Sequence, residues 1–290
     1  MTLLARFLIV CILGYFGYAG AASLLANRVI YPFSDLPFES AEFRSITVTG
    51  PHGPIEAAVA GRDPTAPVVV YFQGNAGSRA LFSATLDAHR QAGFRVVAMR
   101  YPGAEGGPGV PRESRMKDNA LALVTALPGI LGEEGEIHLH GYSMGTGLAA
   151  HVAARRDVSS VVLQAPFPTL CGLMQAQSYV PACQIPWIDT WTATDDLERI
   201  DAPVLVLHGL DDRIIPPRLG RAAAEAILQR NGNLRVKTYP DAGHGAIAAG
   251  GVARADINAF LTDGWRTLPV PPDEARLDAL FPDGHDEGAR

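Results

Sequence analysis

The chain opens on an uncharged apolar run, Phe7 to Ala26, dominated by Leu, Ile, Val, Phe and Ala. About 20 such residues are enough to cross the hydrocarbon core of a bilayer as a helix. After Ile30-Tyr31-Pro32 and an extended lead-in, the pattern becomes an alternation of short apolar runs and longer amphipathic ones. Residues 43–50 and 55–61 predict two short strands joined by a Pro/Gly turn. Residues 67–72 and 95–100 are continuous β-branched and aromatic runs, expected of strands buried on both faces. Between them the spacing predicts a helix over 79–93, with Phe82, Leu86 and His89 on one face. A second helix, over 114–127, turns Met116, Ala120, Leu123 and Leu127 inward. The alternation then repeats as strand 136–142, helix 144–156, strand 158–164, an irregular Pro-rich stretch over 166–200, strand 203–208, helix 217–230, strand 234–239 and helix 245–262. Such alternation predicts a mostly parallel central sheet with helices on both faces. Residues 268–290 are rich in Pro, Asp and Gly and read as a loose tail.

Composition narrows the class. With 290 residues, 48% of them hydrophobic, the chain can build one large core, and no internal repeat or second domain is visible. A net charge of −6 without a basic stripe excludes nucleic acid as a partner. Three scattered cysteines and the lack of an HExxH string give no metal-binding pattern, so no cofactor is expected. For residues 1–27 two readings compete: a transmembrane anchor, or a signal peptide cut near Ala19-Gly20-Ala21. The apolar run is long for a signal peptide, which favours the anchor. Arg6 and Arg28 flank it almost symmetrically, so charge sets little orientation. Both readings lead into a secretory route: the rest of the chain is membrane-tethered on the non-cytoplasmic side, or secreted or periplasmic after cleavage. In an oxidising compartment Cys171 and Cys183 could pair; the alternative is two small buried residues.

The chemistry starts at Gly141-Tyr142-Ser143-Met144-Gly145, between the strand ending in His138-Leu139-His140 and the small-residue helix Thr146-Gly147-Leu148-Ala149-Ala150. Strand, Gly-x-Ser-x-Gly, helix is the pattern of a nucleophile elbow, a turn so tight that a Cβ at either glycine would clash. A serine hydroxyl is a poor nucleophile without a base, and the base needs an orienting acid. Strand 203–208 runs into His208-Gly209-Leu210-Asp211-Asp212, and strand 234–239 into Asp241-Ala242-Gly243-His244-Gly245. Acid and histidine thus follow the C-terminal ends of strands, where open α/β sheets place their sites. His244, between two glycines, is the candidate base; Asp211 and Asp212 compete as the acid. Two N–H groups for an oxyanion are expected from Met144 and from the loop Gln73-Gly74-Asn75-Ala76-Gly77-Ser78, there from Asn75. His138, His140, His151 and His208 lie in or beside predicted core elements and read as packed; His52, His89 and His285 have no catalytic context.

Taken together, residues 28 to 262 resemble the α/β-hydrolase superfamily, and more narrowly its membrane-anchored α/β-hydrolase-domain-containing group, which includes protein depalmitoylases. The strings that carry the resemblance are Ile30-Tyr31-Pro32, Tyr71-Phe72-Gln73-Gly74-Asn75-Ala76-Gly77, Arg100-Tyr101-Pro102-Gly103, Gly141 through Gly147, Ala165-Pro166-Phe167, His208 through Pro216, and Gly243-His244. In that family the acid closes the HGxxD string, which selects Asp212 over Asp211. The resemblance implies an α/β-hydrolase domain over 28–267 with a minimal cap in 166–200. It also implies a serine hydrolase that cleaves a carboxylic ester or thioester through an acyl-enzyme on Ser143. The alternatives are an acyltransferase with the same triad and a non-catalytic membrane-tethered binding protein. Two departures stand out. Gln73 occupies a position usually held by His, and the glycine-rich string from Gly103 to Gly109 replaces the family's usual continuation. The cap holds Leu173, Met174, Tyr179, Val180, Pro181, Trp187 and Trp191, either an acyl pocket near the membrane or ordinary packing. Oligomeric state leaves no trace in the sequence.

Overall fold

Eight strands make one sheet in the order β1-β2-β4-β3-β5-β6-β7-β8. They are β1 (Arg44–Gly50), β2 (Gly53–Ala60), β3 (Val68–Phe72), β4 (Arg95–Met99), β5 (Ile137–Tyr142), β6 (Ser160–Gln164), β7 (Val204–Gly209) and β8 (Leu234–Tyr239). The strands β1 and β2 pair antiparallel, and β2 pairs antiparallel with β4. From β4 to β8 every pairing is parallel. The computed structural model describes residues 2–132, 135–249, 251–262 and 274–282.

Helices α1 (Leu3–Ile30), α2 (Ser83–Gln91), α3 (Glu113–Leu131), α4 (Met144–Ala153), α5 (Cys171–Ser178), α6 (Thr194–Leu197), α7 (Pro217–Leu228), α8 (His244–Ala249), α9 (Gly251–Thr262) and α10 (Glu274–Leu280) surround it. The two-residue period of a strand sends alternate side chains into different cores. Val68, Val70 and Phe72 pack with residues of α3, α4, α7 and α10. Val69 and Tyr71 pack with residues of α2, α8 and α9 on the other face. This is the expected mostly parallel, doubly covered sheet. Its chain order reverses between β3 and β5, so the loops after these two strands diverge and open a crevice at the C-terminal edge.

Some elements differ from the sequence reading. The 79–93 helix begins as a single 3₁₀ turn, Arg79–Phe82, because the Ser78 hydroxyl accepts the Ala80 N–H and starts the turn early. The irregular stretch over 166–200 contains α5, a 3₁₀ turn at Ala182–Gln184 and α6. A disulfide joins Cys171 to Cys183 across this cap, with the Cα atoms 5.0 Å apart. The last predicted helix is two, α8 and α9. Contrary to the expectation of a loose tail over 268–290, Glu274–Leu280 is helical. Its Leu277, Leu280 and Phe281 recur at helical spacing, so the segment folds as α10 and buries Leu277 completely in the main core. Arg221 on α7 pairs with Asp278 at 2.6 Å and fixes the docking. Residues 268–273 and 283–290 of that tail lie outside the described residues.

Leu277→Ala should therefore cost about 2–5 kcal/mol, as for other fully buried leucines. Denaturant unfolding of the full chain in detergent checks this; an unchanged midpoint would show that α10 contributes nothing to the core.

Candidate active site

Ser143 sits between β5 and α4 with φ 52° and ψ −122°. A non-glycine residue adopts such a backbone only under surrounding constraint, at a cost of about 1–3 kcal/mol. The constraint is visible. A Cβ on Gly145 would lie 2.0 Å from the Phe72 carbonyl oxygen, and one on Gly141 would lie 2.5 Å from the Gly145 oxygen. The start of α4 is thus pressed against the end of β3, which leaves no room for a relaxed turn. Hydrogen bonds hold the result. The Ser143 N–H donates to the Gln164 carbonyl at 2.8 Å. Ser143's own carbonyl accepts from both the N–H and the hydroxyl of Thr146, at 2.9 and 2.6 Å.

His244 opens α8, just past β8. Its Nδ1 lies 2.6 Å from Asp212 Oδ2 and its Nε2 lies 3.0 Å from Ser143 Oγ. A ring nitrogen facing a carboxylate carries the proton, so Nδ1–H donates to Asp212 and Nε2 accepts the serine hydroxyl. Asp212 has a fully buried side chain. Its Oδ1 accepts the N–H groups of Ile214 and Ile215 at 2.9 and 2.8 Å. Both carboxylate oxygens are therefore engaged and the group cannot swing away. Asp211 is exposed, and its backbone N–H donates to the Ala242 carbonyl, tying the acid loop to the histidine loop. The two loops close only because Gly209 lacks a Cβ, which would lie 2.1 Å from the Ala242 oxygen.

The loop after β3 runs beside the serine: a Cβ on Gly74 would come within 3.5 Å of Ser143 Cβ. Gln73, in the place usually taken by His, is buried and donates its amide to the carbonyls of Gly77 and Met99, at 2.9 and 3.0 Å. The Tyr101 hydroxyl donates to the Gln73 carbonyl at 2.7 Å. The unusual glycine-rich string also has a task here. Glu105, at φ 58°, turns its carboxylate into the protein and meets Arg79 three times: Oε1 accepts the Arg79 N–H (2.8 Å) and Nε–H (2.9 Å), and Oε2 accepts NH2 (2.6 Å). This buried pair clamps the far end of the loop that holds Asn75. Nothing in the sequence pairs Glu105 with Arg79, since 26 positions separate them.

A second set of buried polar groups supports the elbow from below. His89 Nε2–H donates to His140 Nδ1 (2.8 Å), His140 Nε2–H donates to Gln164 Oε1 (2.6 Å), and Gln164 Nε2 donates to the Ile247 carbonyl on α8 (3.2 Å). Burial pushes the His140 imidazole down to about 4 and holds His89 well below the usual histidine range, so both are neutral at pH 7. Gln164 therefore bridges the backbone of Ser143, through its carbonyl, and the helix that begins with His244, through its side chain. His208 is likewise neutral through burial. Its Nε2–H donates to the Ile215 carbonyl at 2.9 Å and steadies the acid loop from beneath. The tyrosine within the elbow, Tyr142, donates its hydroxyl to the His244 carbonyl at 3.1 Å.

Residues 106–259 match the model of the dienelactone hydrolase family. An uncharacterized protein of Mycobacterium tuberculosis is 28% identical over 207 residues, covering 68% of this chain and 70% of its own. The lysophosphatidylserine lipase ABHD12 of Danio rerio is 27% identical over 181 residues, covering 53% of this chain; the chain spans only 46% of that lipase's length. Among solved structures, the Pyrococcus furiosus esterase Pf2001 superposes with a TM-score of 0.64 at 16% identity, covering 80% of this chain and 98% of its own. An esterase from Pyrobaculum calidifontis gives 0.61 at 20% identity, covering 85% and 88%. At these identities the structures report the shared fold.

Two substitutions test the supports of the site. Gly145→Ala should collapse the elbow, and the variant should unfold at lower temperature than the parent while losing any activity that depends on Ser143. Glu105→Gln leaves the buried Arg79 charge without its partner and should cost about 3–5 kcal/mol. The joint replacement Arg79→Met with Glu105→Leu should recover part of that loss in the same denaturation assay, the remainder reflecting the Arg79 backbone N–H left without its acceptor.

Proposed function

Because the chain belongs to the dienelactone hydrolase family and is a hydrolase of the esterase and lipase type, we propose that it cleaves carboxylic esters or thioesters through an acyl-enzyme on Ser143. The observation that carries this reading is the unbroken line from Asp212 through His244 to Ser143, at 2.6 and 3.0 Å.

In this mechanism Ser143 Oγ attacks the acyl carbonyl carbon and its proton passes to His244 Nε2. Asp212 fixes the imidazole by accepting Nδ1–H and stabilises the imidazolium that forms. The negative charge on the former carbonyl oxygen is met by the N–H groups of Met144 and Asn75. The first lies at the start of α4, where the helix dipole adds to it. Collapse of the tetrahedral intermediate breaks the bond to the alcohol or thiol, which leaves with the proton from His244. Water then attacks the acyl-enzyme, gives its proton to His244, and the acid departs as Ser143 recovers the proton. The neutral, hydrogen-bonded groups beneath the site keep the elbow and α8 in register without adding a competing base.

The domain would work beside a membrane. In length and composition α1 suffices to cross a bilayer. The Cys171–Cys183 disulfide supports a non-cytoplasmic position for the domain, since disulfides persist in oxidising compartments. The lipid ester in the name of the lysophosphatidylserine lipase relative supports an acyl ester of lipid origin as substrate. We place the anchor in residues 1–27 and extend the catalytic domain from 28 through Phe281, since α10 packs into its core.

Ser143→Ala should lower kcat/KM for a p-nitrophenyl ester by about four to six orders of magnitude, and Asp212→Asn by about four. A fluorophosphonate should form a single adduct, located on Ser143 by mass spectrometry. Wild-type turnover by Ser143→Ala would overturn the assignment.

A further inference from the structure

The cap and α1 touch along half the length of the helix. The Tyr15 hydroxyl donates to the Tyr179 carbonyl at 3.0 Å and the Tyr18 hydroxyl to the Ser178 carbonyl at 2.7 Å. Nearer the domain, the Asn27 amide donates to the Trp187 carbonyl at 3.1 Å. Between these levels and just past Asn27, Ala22, Ala26 and Ile30 pack with Met174, Val180, Ala182, Ile185 and Ile188. The disulfide closes the cap, and Asp189 roots it by accepting the Tyr31 hydroxyl and the Glu113 N–H, at 2.6 and 3.0 Å. Cap and helix end thus form one packed unit.

This contact conflicts with a water-exposed cap. Were the cap in water, only Leu3 to Gly14 would remain for the bilayer. That is a rise of about 18 Å against a hydrocarbon core of about 30 Å. The helix nevertheless presents apolar side chains to its surroundings well past Tyr15: Phe16, Leu24, Leu25 and Val29 are exposed, Leu24 and Val29 by 78% and 76%. Measured from Leu3 to Val29, the apolar surface is about 40 Å long, enough to cross completely. If the helix spans, the cap residues beside Tyr15 and Tyr18 lie below the membrane surface with it.

The cap has the composition for that place. Ala165 to Ile188 contains no charged residue, in a chain that is 19% charged. Tyr179 is 77% exposed and Trp187 53% exposed, so the cap presents two large rings outward, and Trp187 is of a type enriched at membrane interfaces. Its exposed polar side chains include Gln175, Gln177 and Gln184, neutral amides whose transfer costs less than that of a charge. Trp187, level with Asn27, marks the shallow end; Tyr179, level with Tyr15, lies about 18 Å further along the helix axis.

We propose that cap residues 171–188 are immersed, alongside α1, in the bilayer leaflet on the domain's own side, and that the partner of their exposed uncharged surface is lipid. The placement is independent of the chemistry at Ser143. One consequence rests on that chemistry: the cap leaves the sheet just past Gln164, whose carbonyl holds Ser143, so the ester would reach the site from within the leaflet.

The test uses the full chain in phosphatidylcholine vesicles whose acyl chains carry bromine near the headgroup or near the chain end. The Trp187 signal is the difference between the parent and Trp187→Phe. A second reporter is Tyr179→Trp made in the Trp187→Phe background. Expected is at least twofold quenching of both reporters by bromolipid, strongest with shallow bromine for Trp187 and with deep bromine for position 179. Quenching of both by aqueous iodide and not by bromolipid would overturn the proposal, as would lipid quenching confined to Trp187. Because the readout is optical, a protein that fails to react with fluorophosphonate but shows the expected depths would sink the catalytic reading alone.

Discussion

The start of α4 approaches the end of β3 so closely that the Gly145 Cα has the Phe72 carbonyl where a side chain would be. Everything around Ser143 depends on that approach. It leaves the serine no relaxed conformation, and it sets the start of α4 directly against the end of β3. The strain is sustained because the anchors on either side are strong: a fully buried β3, a helix of small residues, and backbone hydrogen bonds to the Gln164 carbonyl and from the Thr146 N–H.

The remaining parts of the site are brought to that point by the parallel sheet. Strands β5, β7 and β8 run in the same direction, so the serine, the acid and the histidine emerge at one edge although about 100 residues separate the first from the last. Two kinds of polar support keep the edge rigid. Neutral imidazole and amide groups form the layer beneath the elbow, where burial would penalise a charge. The loop beside the serine is instead held by a buried ion pair, Arg79 with Glu105, in which three hydrogen bonds offset the desolvation of both charges. The glycine-rich string that departs from the family pattern is the loop that turns Glu105 inward.

The apolar helix α1 is part of the same construction. Its last turns pack against the cap, and Tyr31 at its end touches Trp191, whose ring lies against Gly147 of α4. A continuous set of contacts therefore runs from the apolar N-terminal helix to the helix that carries the candidate nucleophile at its start.

Much of this was legible in the sequence because it is local. Hydrophobic period identified every strand and the long helices, glycines flanking Ser143 and His244 marked tight turns, and an uncharged run of membrane length marked α1. The resemblance to a family separated Asp212 from its neighbour Asp211, which spacing alone left open. What the sequence could not show is contact between distant positions. No local pattern pairs Arg79 with Glu105, links His89 through His140 to Gln164, lays the cap along α1, or draws Leu277 out of a Pro- and Gly-rich tail into the core. Periodicity and turn chemistry are properties of a few adjacent residues, so the chain alone determined its strands, its long helices and its candidate nucleophile and base. Which buried polar groups meet, and which apolar faces cover one another, depends on how the elements pack in three dimensions, and only the tertiary structure decided it.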